Sequence, residues 1–327
     1  NSYNVAMGFQ AGAAVTTGIH NTLIGGLAGD ALTVGHRNVA VGKDALTTNV
    51  GGAKNIAIGE GSLSTFNSGS SASDTYNVAV GHFAGGVLTT GIQNALIGGL
   101  AGDALTDADF NTALGNAALG SDTKGSRSVA IGHNALTTQN FTNATDTYNV
   151  AVGQNAGLLV TTGIQNTLIG GLAGDALTDA DFNVAVGKGA LSADTLGSRS
   201  VAIGRSALNA QNFTSATDVY NVAVGFAAGQ DLTNGERNVF IGGDAGKQVS
   251  TADDCVIIGH EAGAGATLTG HDNTFVGRRA GKATTSGNEN ACFGNKAGEA
   301  LATGADNTCL GSESGSSLTN GSNCIFI

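Results

Sequence analysis

The sequence predicts an all-β protein, a parallel β-solenoid of about 19 coils, most of them 17 residues long. Three observations lead to this prediction. A motif of the type Asn-Val-Ala-Val-Gly recurs along the whole chain, its spacing is nearly constant, and glycine supplies 53 of the 327 residues while proline is absent. So much glycine disfavours a helical protein, because each glycine costs about 1 kcal/mol in a helix relative to alanine.

Each repeat ends its apolar triplet with an anchor glycine, and the steps between these glycines are 17 residues, except for one of 22, two of 21 and one of 18. Such a period suits one solenoid coil with two short strands and two turns. Coils stacked about 4.8 Å apart would form a rod roughly 90 Å long. The anchor glycines are Gly8, Gly25, Gly42, Gly59, Gly81, Gly98, Gly115, Gly132, Gly153, Gly170, Gly187, Gly204, Gly225, Gly242, Gly259, Gly277, Gly294 and Gly311.

The longer steps recur every fourth repeat and mark inserts. We therefore expect one continuous solenoid over residues 1–327, with super-repeats at 4–76, 77–148 and 149–220 and nearly uniform coils over 221–327. The chain begins and ends within the repeat pattern, so we interpret it as a segment of a longer protein. An asparagine or serine stands four residues before 17 of the 18 anchor glycines, which predicts a ladder of stacked amides.

The apolar triplets predict an assembly of several chains. Successive strand residues point to opposite sides, and we expect the first and third residues, such as Val39 and Val41, to fill the coil. The middle residues would then form an outer apolar stripe too long for a monomer. We predict a homotrimer in which two further copies cover this stripe; the alternative is a monomer with the stripe under an insert. The predicted axis residues are Ala6, Leu23, Ala40, Ala57, Leu96, Leu168, Phe240, Ile257, Phe275 and Phe326.

The inserts are the predicted recognition surface, because loops on a rigid scaffold commonly carry binding. Each contains a phenylalanine and is closed by a tyrosine directly before an anchor asparagine. Aromatic rings suit sugars or partner proteins, so the expected partner is a host cell-surface glycan or protein. The alternative is that the phenylalanines pack back and seal the inserts. The candidate contact residues are Phe66, Tyr76, Phe141, Tyr148, Phe213 and Tyr220.

The units of the type Asn-Val-Ala-Val-Gly-x-x-Ala-Gly and Ser-Val-Ala-Ile-Gly-x-x-Ala-Leu resemble the repeats of bacteriophage and marine-virus tail fibres and the head repeats of trimeric autotransporter adhesins. The resemblance covers essentially the whole chain. It implies a left-handed β-roll, three chains around one axis, and attachment outside a virion or cell. The 17-residue unit and the four-unit super-period favour a tail fibre, with a bacterial adhesin as the alternative. A polysaccharide-cleaving tailspike is a more distant alternative.

Composition and motifs argue against several other functions. The net charge of −11 disfavours nucleic acid, and no apolar run is long enough to insert into a membrane. We expect no enzyme, since no nucleophile–base–orienter set or nucleotide-binding loop is recognisable. Adjacent rather than alternate threonines disfavour ice binding. No cofactor is expected, although a weak calcium-loop pattern lies near Asp103, Asp107, Asp109, Asp175, Asp179 and Asp181.

All four cysteines lie in the last quarter of the chain, and none forms a Cys-x-x-Cys pair, which argues against zinc. Cys292 and Cys309 occupy the same position in adjacent repeats. We expect all four to act as small buried hydrophobic residues. The alternative is a Cys292–Cys309 cross-link in an oxidising environment, which comparison of reducing and non-reducing gels would reveal.

Overall fold

The computed structural model describes residues 2–327 of the chain. Contacts divide it into two compact units, Asn1–Gln165 and Asn166–Ile327. Each unit is a parallel β-solenoid in which every coil contributes one strand of two or three residues, and no helix occurs between residues 2 and 327. Together the units have 19 such coils in the described residues, which confirms the predicted all-β solenoid and its spacing of about 17 residues.

The main strands follow the anchor residues in both units. In the first unit they are β1 (Val5–Met7), β2 (Thr22–Ile24), β3 (Val39–Val41), β5 (Ile56–Ile58), β7 (Val78–Val80), β8 (Ala95–Ile97), β9 (Thr112–Leu114), β11 (Val129–Ile131) and β13 (Val150–Val152). In the second they are β14 (Thr167–Ile169), β15 (Val184–Val186), β17 (Val201–Ile203), β19 (Val222–Val224), β20 (Val239–Ile241), β21 (Val256–Ile258), β22 (Thr274–Val276), β23 (Ala291–Phe293), β24 (Thr308–Leu310) and β25 (Ile325–Phe326).

Successive main strands pair in parallel and in repeat register, as between Ala40 of β3 and Ala57 of β5. The inserts leave this register intact, since Ala57 pairs with Ala79 of β7 across the 22-residue step. Each insert instead forms a short extra strand beside the preceding coil. The extra pairs are β4 (Gly52–Ala53) with β6 (Ser73–Asp74), β10 (Gly125–Ser126) with β12 (Thr145–Asp146), and β16 (Gly197–Ser198) with β18 (Thr217–Asp218).

The expected second strand in every coil is wrong. In the described residues, named second strands occur only beside the inserts. After the anchor glycine the backbone alternates through left-handed positions, such as Asp44 (φ 57°) and Leu46 (φ 54°), which a strand does not allow. Coils are still bonded to each other there, because the Leu46 N–H donates to the Ser62 carbonyl at 3.0 Å.

The alternation of side chains is as expected, but the predicted assignment of the two faces is wrong. The middle residues fill the coil, and the first and third residues face outward. The predicted axis residues Leu23, Ala40, Ala57, Leu96, Leu168, Phe240, Ile257 and Phe275 are all buried. Ala6 and Phe326 hold the same register position in β1 and β25. The interior takes the middle residue because the buried anchor asparagine lies two residues before it, on the same side of the strand.

Volumes in the interior are complementary. Where the middle residue is large, as at Leu168, a glycine follows six residues later; a Cβ on Gly174 would lie 2.7 Å from Leu168 Cδ2. Where the middle residue is small, as at Ala185, the later position is a leucine, and Leu191 is fully buried. The alternation of glycine and leucine is therefore a packing rule that keeps each coil filled.

The anchor asparagines form the predicted amide ladder. Asn38 is buried, its backbone N–H donates to Asn21 Oδ1 at 2.9 Å, and its Nδ2 donates to the Gly52 carbonyl at 2.9 Å. Asn55 repeats the first bond on Asn38 Oδ1. Each side chain thus satisfies backbone groups that the narrow interior would otherwise leave unpaired.

Candidate binding surface

An unusual backbone lies at the corner directly before each anchor residue. Residues at this corner have φ between 48° and 65°, although none is glycine. Such a conformation costs an L-residue about 1 kcal/mol. The corner N–H donates to the preceding coil, as from Arg127 to the Asp109 carbonyl at 3.0 Å. We call this column the leading edge. Its members are Tyr3, His20, Arg37, Lys54, Tyr76, Gln93, Phe110, Arg127, Tyr148 and Gln165 in the first unit, and Phe182, Arg199, Tyr220, Arg237, Asp254, Asp272, Glu289, Asp306 and Asn323 in the second.

In the first unit, Arg127 lies between two aromatic rings of the leading edge. Its Cζ is 4.6 Å from the ring centroid of Phe110 and 5.9 Å from that of Tyr148. Its Nε is 3.0 Å from Asp146 Oδ1, at the end of the insert strand β12. Both rings are exposed, Tyr148 by 52%. The cluster therefore combines exposed rings with a guanidinium and a carboxylate.

The second unit repeats this cluster. Arg199 Cζ lies 4.6 Å from the Phe182 ring centroid and 6.0 Å from the Tyr220 ring centroid. Arg199 Nε is 2.9 Å from Asp218 Oδ1, and this hydrogen bond raises the pKa of the guanidinium. Because two distant sequence segments build the same arrangement, the cluster is a property of the super-repeat.

The first super-repeat carries a variant. Lys54 replaces the arginine, donates to Asp74 Oδ2 at 2.6 Å and to Tyr76 Oη at 2.8 Å, and lies 4.9 Å from the Tyr76 ring centroid. The bond to Lys54 lowers the pKa of Asp74. Arg37 stands where the other clusters have phenylalanine. This site has one aromatic ring instead of two.

The structure separates the six predicted contact residues into two groups. Tyr76, Tyr148 and Tyr220 are exposed on the leading edge. Phe66, Phe141 and Phe213 are buried, and the prediction that these three contact a receptor is wrong. They seal the inserts because a ring buried against the coil is removed from water.

Sequence reasoning missed Phe110, Arg127, Phe182 and Arg199. The signal was present, because each stands directly before an anchor asparagine or serine, in the same position as the tyrosines. Residues in that position on consecutive coils become neighbours once the coils stack in register.

A second exposed surface is formed by the first and third residues of each main strand, which we call the outer face. It is apolar in both units. Ile97 and Leu114 are 39% and 44% exposed in the first unit, and Ile203 and Ile241 are 38% and 39% exposed in the second. The surface that could meet another chain therefore lies one residue away, along each strand, from the predicted one.

The six aspartates of the weak calcium pattern do not converge. Asp107 accepts a hydrogen bond from Thr90 Oγ1 at 2.5 Å, and Asp109 accepts one from the Ile92 N–H at 2.7 Å. Burial raises the pKa of Asp103 and of Asp175. Among residues 2–327, no three His, Cys, Asp or Glu side chains are grouped so that they could hold a metal ion.

The cysteines are free thiols, and three of them are buried. Cys292 and Cys309 pair in register across β23 and β24. Burial raises the pKa of Cys292 and Cys309, and it raises the pKa of Cys255 to about 11. These environments favour the uncharged thiol.

No helix long and apolar enough to cross a membrane was found between residues 2 and 327.

Comparison of the chain with protein-family models, with curated proteins and with solved structures gave no match.

Proposed function

We propose that this chain is a structural and adhesive segment of an extracellular homotrimeric fibre, most simply a viral tail fibre that mediates or supports attachment to a host. The observation that carries the proposal is the outer face. Ile97, Leu114, Ile203 and Ile241 are representative of apolar side chains that remain exposed on consecutive coils. A continuous exposed apolar surface of this kind is typical of a protein–protein interface.

A homotrimer accounts for this surface economically. Three identical sheets can close around one axis, so each copy covers the outer faces of the other two and no open interface remains. The buried anchor asparagines and filled interiors make each coil a rigid support. The resemblance to fibre and adhesin repeats supports the same assembly and places it outside a virion or cell.

The trimer is tested by native mass. The unchanged chain should have close to three times its 32.0 kDa chain mass at micromolar concentration. Ile97→Asp/Leu114→Asp places two carboxylates on the outer face and should give monomers with an unchanged circular dichroism spectrum, since desolvating a charge opposes association. A matched control, Val87→Asp/Leu159→Asp, alters two exposed apolar residues away from the outer face and should remain trimeric. A monomeric parent would contradict the proposal.

We further propose that the clusters at Arg127 and Arg199 contact a host-surface glycan. Exposed aromatic rings match the C–H faces of sugar rings. The neighbouring guanidinium and carboxylate can hydrogen-bond to sugar hydroxyls. Two clusters per chain, multiplied by three chains, would convert weak single contacts into avidity.

Glycan binding is tested on a printed array of bacterial and eukaryotic surface glycans. Tyr148→Ser/Tyr220→Ser should lower the signal of the parent about 100-fold, since two contacts per chain are lost. Gln93→Ser/Gln165→Ser changes the same edge outside the clusters and should retain the parent signal. Equal binding by both variants would show that the tyrosines are not contacts.

A further inference from the structure

The outer face of the second unit is bordered by charges of opposite sign. On its leading edge, Asp272, Glu289 and Asp306 stand on the consecutive coils of β22, β23 and β24, and all three are exposed. Parallel stacking places such residues about 4.8 Å apart. None of the three side chains forms an ion pair with another described residue. The result is a column of carboxylates without a compensating cation in its own chain.

The opposite border carries cations. We call the two residues after each anchor glycine the trailing edge. Arg278 follows β22, is exposed, and forms no ion pair within residues 2–327. Lys296 follows β23, and its nearest carboxylate is Glu313 Oε1 at 3.8 Å. Arg279 is held within the chain by Glu299 at 2.8 Å. Arg278 and Lys296 are therefore the cations available to a partner.

We infer that, in the proposed trimer, Asp272, Glu289 and Asp306 of one copy bind Arg278 and Lys296 of the next copy. The inference rests on the proposed function. In a ring of three identical chains, the leading edge of each copy meets the trailing edge of its neighbour, and equivalent residues lie at the same height. We call this contact the seam. The seam brings the unpaired carboxylates of the coils of β22 to β24 beside the available cations of β22 and β23.

The same charges disfavour the competing arrangement. A two-fold dimer that joined two outer faces could bring leading edge against leading edge, and the carboxylate column would then face its own copy. Like charges placed opposite each other are destabilising, whereas complementary charges steer association and select the partner's orientation. The edges therefore specify chains that run parallel, while the apolar outer face supplies the attraction.

Charge reversal tests the seam in the 327-residue chain. Glu289→Lys on the leading edge, or Arg278→Glu/Lys296→Glu on the trailing edge, should weaken trimer association about tenfold, measured by native mass across a dilution series. The variant with all three substitutions restores opposite signs and should return to within about twofold of the parent. Asp231→Lys reverses an exposed charge away from both edges and should leave association unchanged.

A mixing experiment separates contact between chains from an effect within one chain. When the Glu289→Lys chain is mixed with the Arg278→Glu/Lys296→Glu chain, trimers containing both should exceed the statistical proportion, because two of their three seams have opposite charges. A stable trimer whose association is equal for Glu289→Lys and Asp231→Lys, or random mixing, would overturn the seam alone. A monomeric parent would overturn the proposed function and the seam together.

Discussion

Replacing Gly98 by alanine is expected to lower the free energy of unfolding by about 3 kcal/mol or more. Gly98 is an anchor glycine with φ 138°, a conformation that L side chains rarely adopt. An added Cβ would lie on the carbonyl group of Gly115 in the next coil, 2.6 Å from its carbon. The clash falls on backbone, which cannot move without separating the two coils.

The neighbouring residue provides a matched control. Gly99 has no left-handed φ, and a Cβ there would approach only Asn116 Nδ2, at 3.3 Å. Gly99→Ala should change stability by less than about 1 kcal/mol, because the side-chain amide can give way and the unfolded chain loses freedom. Guanidinium unfolding followed by circular dichroism measures both variants. Equal stabilities for Gly98→Ala and Gly99→Ala would contradict the stacking argument.

Asp194→Ala is expected to destabilise the second unit by about 3 to 5 kcal/mol. The Asp194 side chain is fully buried. It accepts hydrogen bonds from the Gly197 N–H at 3.1 Å, the Phe213 N–H at 3.0 Å and Gln211 Nε2 at 2.5 Å. Alanine leaves these three donors buried without their acceptor. Each such loss costs about 1–3 kcal/mol, and relaxation of the insert recovers part of the sum.

The first super-repeat suggests a variant that repairs this loss. Asn49 holds the position of Asp194, and Phe66 holds that of Gln211. Asn49 accepts from the Gly52 N–H at 2.9 Å and needs no glutamine partner. We therefore expect Asp194→Asn/Gln211→Phe to be more stable than Asp194→Ala, and Asp231→Ala, at an exposed turn, to resemble the parent. Hydrogen exchange over residues 213–219 should rise in Asp194→Ala alone; unchanged exchange would show that Asp194 does not hold the insert.

The fold could be predicted because the period is explicit. A glycine that returns every 17 residues, with β-branched residues before it, specifies stacked coils and parallel register. The assignment of faces could not be derived from apolarity, since Val39, Ala40 and Val41 are all apolar. The asparagine was the better guide: Asn38 needs buried backbone partners, and alternation then puts Ala40 inside with it.

The candidate site was predictable only in part. The tyrosines stood out because they close the inserts, but their neighbours in space, such as Phe110 and Arg127, come from earlier coils and lie 38 and 21 residues before Tyr148. Phe141 looked equivalent to Tyr148 as an insert aromatic. Its burial depends on the Asp122 carboxylate, which accepts the Phe141 N–H at 3.0 Å and draws the insert back onto the coil.

The in-register amide ladder makes length a heritable variable. Each asparagine contacts only the coils before and after it, so a gene that gains or loses one whole repeat by unequal recombination rejoins the ladder without altering any other contact. A change of one residue more or less would shift the following strand and turn its buried middle residue outward. The molecule can therefore be lengthened or shortened in steps of one coil, like a ruler with 17-residue divisions.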